Sequence, residues 1–274
     1  AGQVTATTDI PVPDGPMMHD FALTGRYVVL LDLPVTFSLK AATSGKEMPY
    51  VWNPGHQARV GLLPRDGSAP VRWIGLEPCW VFHCLNAYDD QQGTVVLDLC
   101  QYDQSFDVST LWHAHRPVTL DRWVIDPAAG TITQQRLDDR GQEFPRVDDR
   151  IVSRPHRYGY SVQIGEVTRA ITAAGDFGDD AFSNAILKHD LAHGTVQAHE
   201  FGRDATAGEA VFAPSAPDAG EDDGYVMAFV HNPDRGAADL VILAAQDFTA
   251  DPVARVHLPA RIPLGFHGSW LPDR

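Results

Sequence analysis

The sequence contains few cysteines and little positive charge. Its 274 residues include 3 Cys, and 21 Lys and Arg stand against 36 Asp and Glu, which gives a formal net charge of −15. Three cysteines are too few for a disulfide framework in a chain of this length, so buried, reduced thiols of a cytoplasmic protein are predicted. The shortage of basic residues excludes the basic stripe with which proteins bind a nucleic-acid backbone.

Long hydrophobic runs and several common motifs are absent as well. No window approaches the roughly 18 consecutive apolar residues of a membrane helix. The start of the sequence, Ala1 to Thr5, has neither the basic residues nor the apolar stretch of a signal peptide. A Cys-x-x-Cys pair, a Gly-x-Ser-x-Gly elbow and a Walker loop are all missing, so a structural zinc site, a hydrolase elbow and a nucleotide-binding loop are not indicated.

Short segments rich in β-branched residues dominate the sequence, and Gly, Pro, Asp or Asn separates them. This pattern predicts an all-β protein, a sandwich, barrel or propeller. The predicted strands are Tyr27–Leu31, Gly93–Leu97, Arg122–Ile125, Thr131–Leu137, Tyr225–Val230 and Asp239–Leu243. One weak helix is predicted at Phe106–Leu111, and Pro214–Asp223 reads as an acidic surface loop.

A loose internal repeat favours the propeller among these architectures. Tyr27–Asp32, Thr94–Asp98 and Leu240–Leu243 resemble one another, and their uneven spacing fits blades with long insertions on one face. No linker divides the chain, so one domain over residues 1–274 is expected.

Three of the 12 histidines stand at the edges of apolar segments, each within two positions of an aromatic residue: His19, His83 and His267. A neutral imidazole at a strand end can bind a metal ion, although a histidine taken singly is more often a hydrogen-bonded core residue. His189 and His193 have the spacing of a helical zinc pair, but Gly194 and the segment after it predict a hairpin instead.

Two carboxylates have unusual surroundings. Glu143 lies between Gln142 and Phe144, just before a turn, and Glu221 opens an acidic segment directly before the predicted strand Tyr225–Val230. Taken alone, Glu221 is best explained as part of an acidic turn.

Seven segments taken together resemble the carotenoid cleavage oxygenase family, which includes apocarotenoid and lignostilbene-type dioxygenases. They occur in the family's order along nearly the whole chain. The segments are Met17–Thr24, Tyr27–Pro34, Phe82–Tyr88, Glu143–Asp148, Arg154–Tyr160, Glu221–Gly224 and Gly265–Trp270.

This resemblance implies a seven-bladed β-propeller with iron(II) on its axis, held by four histidines. Three of the family's histidines correspond to His19, His83 and His267. It also implies glutamates that accept a hydrogen bond from the far nitrogen of a ligand imidazole, with Glu143 orienting His83 and Glu221 orienting His267.

Three aromatic residues near these histidines are candidate tunnel walls or substrate contacts, with core packing as the alternative for each. They are Phe82, Phe266 and Trp270.

The chain departs from the family at its start, because family members begin well before the segment that contains His19. The first histidine ligand and a further glutamate belong to that earlier part. The chain is therefore expected to be a C-terminal portion that covers the last four to five blades. Open propeller edges would then be prone to association.

The implied reaction is oxidative cleavage of a conjugated carbon–carbon double bond in a carotenoid, an apocarotenoid or a stilbene. Its partners would be an apolar substrate and dioxygen, with peripheral membrane contact during substrate uptake, and its products two carbonyl compounds. The alternative is a non-catalytic propeller fragment or binding module with an incomplete metal site.

Overall fold

The computed structural model describes residues 2–45, 48–105, 117–164, 184–202, 205–263 and 267–272. The regular secondary structure of these residues is almost entirely β-strand, together with one short helix, α1 (Leu39–Thr43), and two single 3-10 turns at Asp149–Ile151 and Ala245–Asp247. The strands are β1 (Phe21–Leu23), β2 (Tyr27–Asp32), β3 (Val35–Phe37), β4 (Tyr50–Trp52), β5 (Arg59–Pro64), β6 (Arg72–Gly75), β7 (Trp80–Asp89), β8 (Val95–Tyr102), β9 (Thr119–Asp126), β10 (Thr131–Asp138), β11 (Gln142–Arg146), β12 (Tyr158–Gln163), β13 (Ala185–Asp190), β14 (Thr195–Glu200), β15 (Thr206–Ala207), β16 (Val211–Pro214), β17 (Gly224–Asn232), β18 (Ala237–Ala244) and β19 (Ala254–His257).

Four antiparallel sheets follow one another along the chain. Sheet 1 has the order β1-β2-β5-β6, sheet 2 runs from β7 to β10, sheet 3 runs from β11 to β14, and in sheet 4 β15 and β16 both pair with β17, which continues to β18 and β19. A separate hairpin, β3–β4, is inserted between β2 and β5. Successive four-stranded meanders are the building blocks of β-propellers, so the predicted all-β class is confirmed and each sheet is built like a propeller blade.

The predicted strands all fall within, or overlap, strands of the structure. The predicted hairpin at His189 and His193 is confirmed, since His189 lies in β13 and His193 lies in the turn between β13 and β14. The predicted internal repeat is correct for Asp32 and Asp98, which lie on the second strands of sheets 1 and 2. Leu240–Leu243 lies instead on the third strand of sheet 4, so that part of the repeat prediction was wrong. The predicted helix at Phe106–Leu111 lies outside the described residues.

Each sheet contains a buried or half-buried Asp that pairs with one Arg and one His. This shared Asp–Arg–His arrangement explains why the sequence around Asp32 resembles that around Asp98. The four sets are Asp32 with Arg59 and His56, Asp98 with Arg122 and His156, Asp190 with Arg157 and His193, and Asp239 with Arg235 and His257.

Apolar side chains form two core clusters, one spanning sheets 1 and 2 and the other spanning sheets 3 and 4. The first strands of neighbouring sheets are in contact: β7, the first strand of sheet 2, contacts β1 of sheet 1 and β11 of sheet 3.

The predicted free thiols are confirmed: Cys79 and Cys100 are buried and Cys84 is half-buried. Within the described residues, no helix has the length and apolar character needed to cross a membrane.

The buried imidazole of His189 makes the fold sensitive to acid. Its Nε2 lies 3.3 Å from Ser161 Oγ, and burial lowers the pKa of His189 to about 4, although Asp138 acts in the opposite direction. The unfolded chain takes up this proton near the ordinary value of 6.5. Stability should therefore be complete above pH 6.5 and decline as the pH falls toward 4. Urea unfolding at pH 7 and pH 5 should show this decline, and His189→Gln should reduce it. An equal decline in the variant would contradict this assignment.

Candidate metal centre

Three histidine side chains gather where the first strands meet. His19 lies two residues before β1, His83 lies within β7, and His267 lies in the segment after β19. The ring centroids of His19 and His83 are 5.0 Å apart, and those of His83 and His267 are 4.9 Å apart. These are the three histidines that the sequence predicted as ligands, and the fold brings them together from distant positions in the chain.

The Nδ1 atom of each imidazole has an acceptor. It lies 2.9 Å from the Phe82 carbonyl oxygen in His19, 2.6 Å from Glu143 Oε2 in His83, and 3.2 Å from Glu209 Oε2 in His267. A proton donated from Nδ1 leaves Nε2 unprotonated, which is the form that binds a metal ion. The structure thus favours the same tautomer at all three rings.

An unsatisfied buried nitrogen supports the metal assignment. Nε2 of His83 is buried and has no hydrogen-bond partner among the described residues. Buried polar atoms without partners are rare and often mark a missing ligand. A set of imidazole donors suits iron as well as zinc, copper and nickel. The described residues contain no group of three or more His, Cys, Asp or Glu side chains already arranged to hold a metal ion, and the three rings remain candidate ligands.

His19 and His83 differ in their affinity for a proton. Partial burial lowers the pKa of His19, and the neighbouring His83 lowers it further. Burial also acts to lower the pKa of His83, but the charge and hydrogen bond of Glu143 outweigh it, so the pKa is raised. A metal ion bound by both rings would therefore compete with a proton more strongly at His83 than at His19.

Glu143 is itself held by two donors. Its Oε1 accepts a hydrogen bond from the Tyr102 hydroxyl at 3.0 Å, and its Oε2 accepts one from the Phe144 backbone N–H at 2.5 Å. Glu143 is 1% exposed, so these contacts fix a buried carboxylate against the imidazole of His83. The prediction that Glu143 orients His83 agrees with this hydrogen bond.

A bulge in β11 brings two of its polar side chains, Glu143 and Arg146, to the centre. Glu143 pairs with Val162 and Arg146 pairs with Tyr160, so three steps along β11 correspond to two along β12. In a regular strand, residues three apart point to opposite faces. The extra residue restores a common face for Glu143 and Arg146.

The bulge places the backbone of Phe144 in a strained conformation. Its φ is +54°, a left-handed value that a bulky side chain rarely adopts, and its ring centroid lies 5.2 Å from that of His83.

Once the ring of Phe144 is removed, Gly should tolerate this position better than Ala. Phe144→Gly is therefore expected to be more stable than Phe144→Ala by about 1 kcal/mol in urea unfolding, the reverse of the usual order in a strand. Equal stability of the two variants would contradict the strain.

The predicted partner of His267 was wrong. Glu209, between β15 and β16, contacts His267, whereas Glu221 accepts backbone hydrogen bonds from Arg157 and Tyr158 at 2.7 and 2.6 Å. Glu221 thus joins the loop before β17 to the start of β12. The reason is topological, since Glu209 lies beside the first strands of sheet 4 and Glu221 lies at the other end of β16.

The two glutamates can be separated by mutation. Glu143→Gln and Glu209→Gln should each weaken metal binding about tenfold to a hundredfold, because each removes the carboxylate that orients a ligand imidazole. Glu221→Gln is the matched control and should bind metal like the unmodified chain. Cobalt(II) titration of the purified proteins measures this. Weakened binding in Glu221→Gln with unchanged binding in Glu209→Gln would contradict the assignment.

The predicted aromatic contacts have different outcomes. Phe82 is 2% exposed and packs edge-on against His19, Trp80 and Tyr102, so its ring supports the centre from the core. Trp270 is 47% exposed, and its contact with a substrate stays a prediction. Phe266 lies outside the described residues.

Sequence reasoning missed Glu209, Tyr102 and the Phe82 carbonyl. Only Glu209 carries a signal, a single carboxylate among the small residues Ala207, Gly208 and Ala210. Its side chain is 4% exposed, which is unusual for an acidic residue unless it has a paired partner.

Comparison with known proteins finds relatives along nearly the whole chain. The family profile described as retinal pigment epithelial membrane protein (RPE65) matches residues 1–272. A carotenoid cleavage oxygenase of Mycobacterium tuberculosis is 37% identical and aligns with 99% of this chain and 61% of its own length. An apocarotenoid-15,15'-oxygenase of Synechocystis is 35% identical over 94% of this chain and 52% of its own length. An isoeugenol monooxygenase of Pseudomonas nitroreducens is 32% identical over 99% and 58%.

Solved structures show the same likeness. A mutant of the Synechocystis apocarotenoid oxygenase superposes with a TM-score of 0.82 at 32% identity, covering 96% of this chain and 54% of that one. The cobalt-substituted form of that oxygenase superposes with a TM-score of 0.81 at 32% identity, covering 94% and 53%. The chain thus spans between half and two thirds of the length of these relatives.

Proposed function

This chain belongs to the retinal pigment epithelial membrane protein family, whose members include the carotenoid cleavage oxygenases, and we propose that it is the iron-binding part of a dioxygenase that cleaves a conjugated carbon–carbon double bond. The observation that carries the proposal is the gathering of His19, His83 and His267 with all three Nδ1 atoms hydrogen-bonded. The buried, unpartnered Nε2 of His83 among the described residues supports it.

Each group in the centre has a distinct role in the proposal. His19, His83 and His267 bind the metal ion through Nε2, while the Phe82 carbonyl, Glu143 and Glu209 hold the three rings in orientation. Bound iron(II) would supply the dioxygen chemistry that converts one alkene and one O₂ into two carbonyl groups. This stoichiometry balances without any further reductant or proton donor.

The protein's remaining contribution is binding and the exclusion of water. The rings of Phe82 and Phe144 lie 5.1 Å from His19 and 5.2 Å from His83, measured between centroids, and shield one side of the centre. The substrate we propose is an apolar conjugated alkene: a carotenoid, an apocarotenoid or a stilbene.

The finer fold prediction is also proposed. We infer that the whole protein is a seven-bladed propeller and that residues 1–274 form part of a single domain that supplies its last four to five blades. Four blade-like sheets lie in a chain that corresponds to 61% of the first relative's length, which is in proportion to seven blades.

Two partner predictions remain as proposals. Contact with a lipid surface during substrate uptake is supported by the exposed apolar side chains of Phe37 and Leu39, next to and within α1. Association through open edges is supported by β19, an outer strand whose residues are all exposed.

An activity assay with metal analysis tests the proposed function. The purified chain, loaded with iron(II), is incubated in air with an apocarotenal, a hydroxystilbene and isoeugenol in turn, and the products are identified by mass spectrometry. Two carbonyl fragments from one of these substrates, together with bound iron, are expected. A metal-free and inactive protein would favour the alternative, a non-catalytic propeller fragment.

A further inference from the structure

We propose that Arg146 is a positioning residue for the metal centre, which it serves by fixing Glu209 and the backbone next to His267. This inference rests on the proposed function, in which His267 is a metal ligand. Arg146 belongs to the segment Glu143–Asp148, whose glutamate already contacts His83, but the reaction described above assigns it no role.

The contacts of Arg146 connect three separate parts of the chain. Its Nη1 donates to Glu209 Oε1 at 2.8 Å and to the Gly268 carbonyl at 2.8 Å. Its Nη2 donates to Asp149 at 3.1 Å. The side chain of Asp149 is exposed to solvent, so this carboxylate offsets only part of the positive charge of Arg146. One planar cation on β11 therefore binds the carboxylate that faces His267 and also the carbonyl of the next residue, Gly268.

Glu209 completes this connection from the other side. Its Oε2 accepts hydrogen bonds from His267 Nδ1 at 3.2 Å and from the Gly268 backbone N–H at 2.8 Å. Gly268 is therefore hydrogen-bonded at both backbone groups: its N–H donates to Glu209, and its C=O accepts from Arg146. Because His267 is 52% exposed at its side chain, packing alone does little to fix this ring. The position of the imidazole depends on these few polar contacts.

The arrangement repeats what is found at His83. In both places one carboxylate oxygen contacts the imidazole and a neighbouring backbone N–H, and the other oxygen contacts a side-chain donor. The donor is the neutral Tyr102 hydroxyl behind Glu143 and the Arg146 guanidinium behind Glu209. A cation is suited to the more exposed site, since a charge-assisted hydrogen bond is about twice as strong as a neutral one.

The bulge in β11 is what makes this double role feasible. Glu143 and Arg146 share one face only because one extra residue lies between their partners on β12. A single strand thereby orients two ligand imidazoles, His83 directly and His267 through Glu209. This also gives the strained backbone of Phe144 a function.

Cobalt(II) titration of the chain tests the proposal. Arg146→Met should weaken binding about tenfold to a hundredfold, the range known for groups that orient a ligand. The double variant Arg146→Met/Glu209→Gln should bind no more weakly than Glu209→Gln alone, since both act on the same ring. Arg150→Met is the matched control: Arg150 binds Asp148 and the carbonyls of Pro217 and Ala219, away from the histidines, and should leave affinity unchanged.

A metal-free measurement separates this inference from the proposed function. At pH 8, ¹⁵N NMR should show His267 of the unmodified chain protonated at Nδ1, and a mixture of tautomers in Arg146→Met. Unchanged tautomer and unchanged cobalt affinity in Arg146→Met would overturn the role of Arg146. Failure of the unmodified chain to bind cobalt would overturn the proposed function instead, while the NMR comparison would still decide the contact.

Discussion

His83→Ala should abolish metal binding by the chain, and alkene cleavage with it. His83 is the central ring of the three, within 5.0 Å of His19 and 4.9 Å of His267 between centroids. It also has the best-defined partner, a 2.6 Å hydrogen bond to a buried glutamate. Losing a ligand should therefore cost more than the tenfold to hundredfold expected for losing an orienting group. Iron content after gel filtration, measured with product formation, checks this.

A matched histidine provides the control. His199 is 7% exposed, like His83, and its Nδ1 donates to the Phe248 carbonyl, but it lies in sheet 3, away from the centre. His199→Ala should keep metal and activity as long as circular dichroism shows a folded protein. Retention of stoichiometric iron by His83→Ala would contradict the three-histidine centre.

Asp98→Asn should cost about 3 kcal/mol or more of the free energy of unfolding. Asp98 is fully buried and accepts two hydrogen bonds of 2.7 Å from Arg122. The buried His156 Nε2 lies 3.1 Å from Asp98 Oδ2, without the alignment of a hydrogen bond. Removing the carboxylate charge leaves the partly buried Arg122 guanidinium without its counter-ion, and breaking a buried ion pair typically costs about 3–5 kcal/mol. Urea unfolding at pH 7 measures the loss.

The equivalent aspartate of sheet 3 is the control for this variant. Asp190 pairs with Arg157 and His193, whose side chains are 43% and 64% exposed. Solvent screens such a pair, so Asp190→Asn should cost about 1 kcal/mol or less. Equal losses in the two variants would mean that burial does not decide the strength of these repeated sets.

The sequence predicted the all-β class because that class depends on local pattern, and the resemblance of short segments singled out the three histidines that the fold brings together. Short β-branched segments between Gly, Pro and Asp specify strands, and the aromatic residues beside His19, His83 and His267 gave each a recognisable segment. The repeat of Asp32 and Asp98 was visible because each directly follows a short apolar run, and each pairs with an Arg on the next strand.

The pairing of glutamates with histidines could not be obtained in this way. Glu209 and Glu221 are 12 positions apart and both adjoin strands of sheet 4, so only the three-dimensional path of the chain decides which of them meets His267. The Phe82 carbonyl is a backbone group and leaves no trace in the sequence. The bulge at Phe144 is equally hidden, because a residue with positive φ there is expected to be Gly and not an aromatic residue.

An anomalous difference map from crystals of the chain grown with cobalt(II) tests the central claim most directly. One peak is expected at bonding distance, about 2.1 Å, from Nε2 of His19, His83 and His267, with Glu143 and Glu209 still hydrogen-bonded at Nδ1 of their histidines. The absence of a peak between the three rings, or a peak at another histidine such as His189 or His199, would contradict the account.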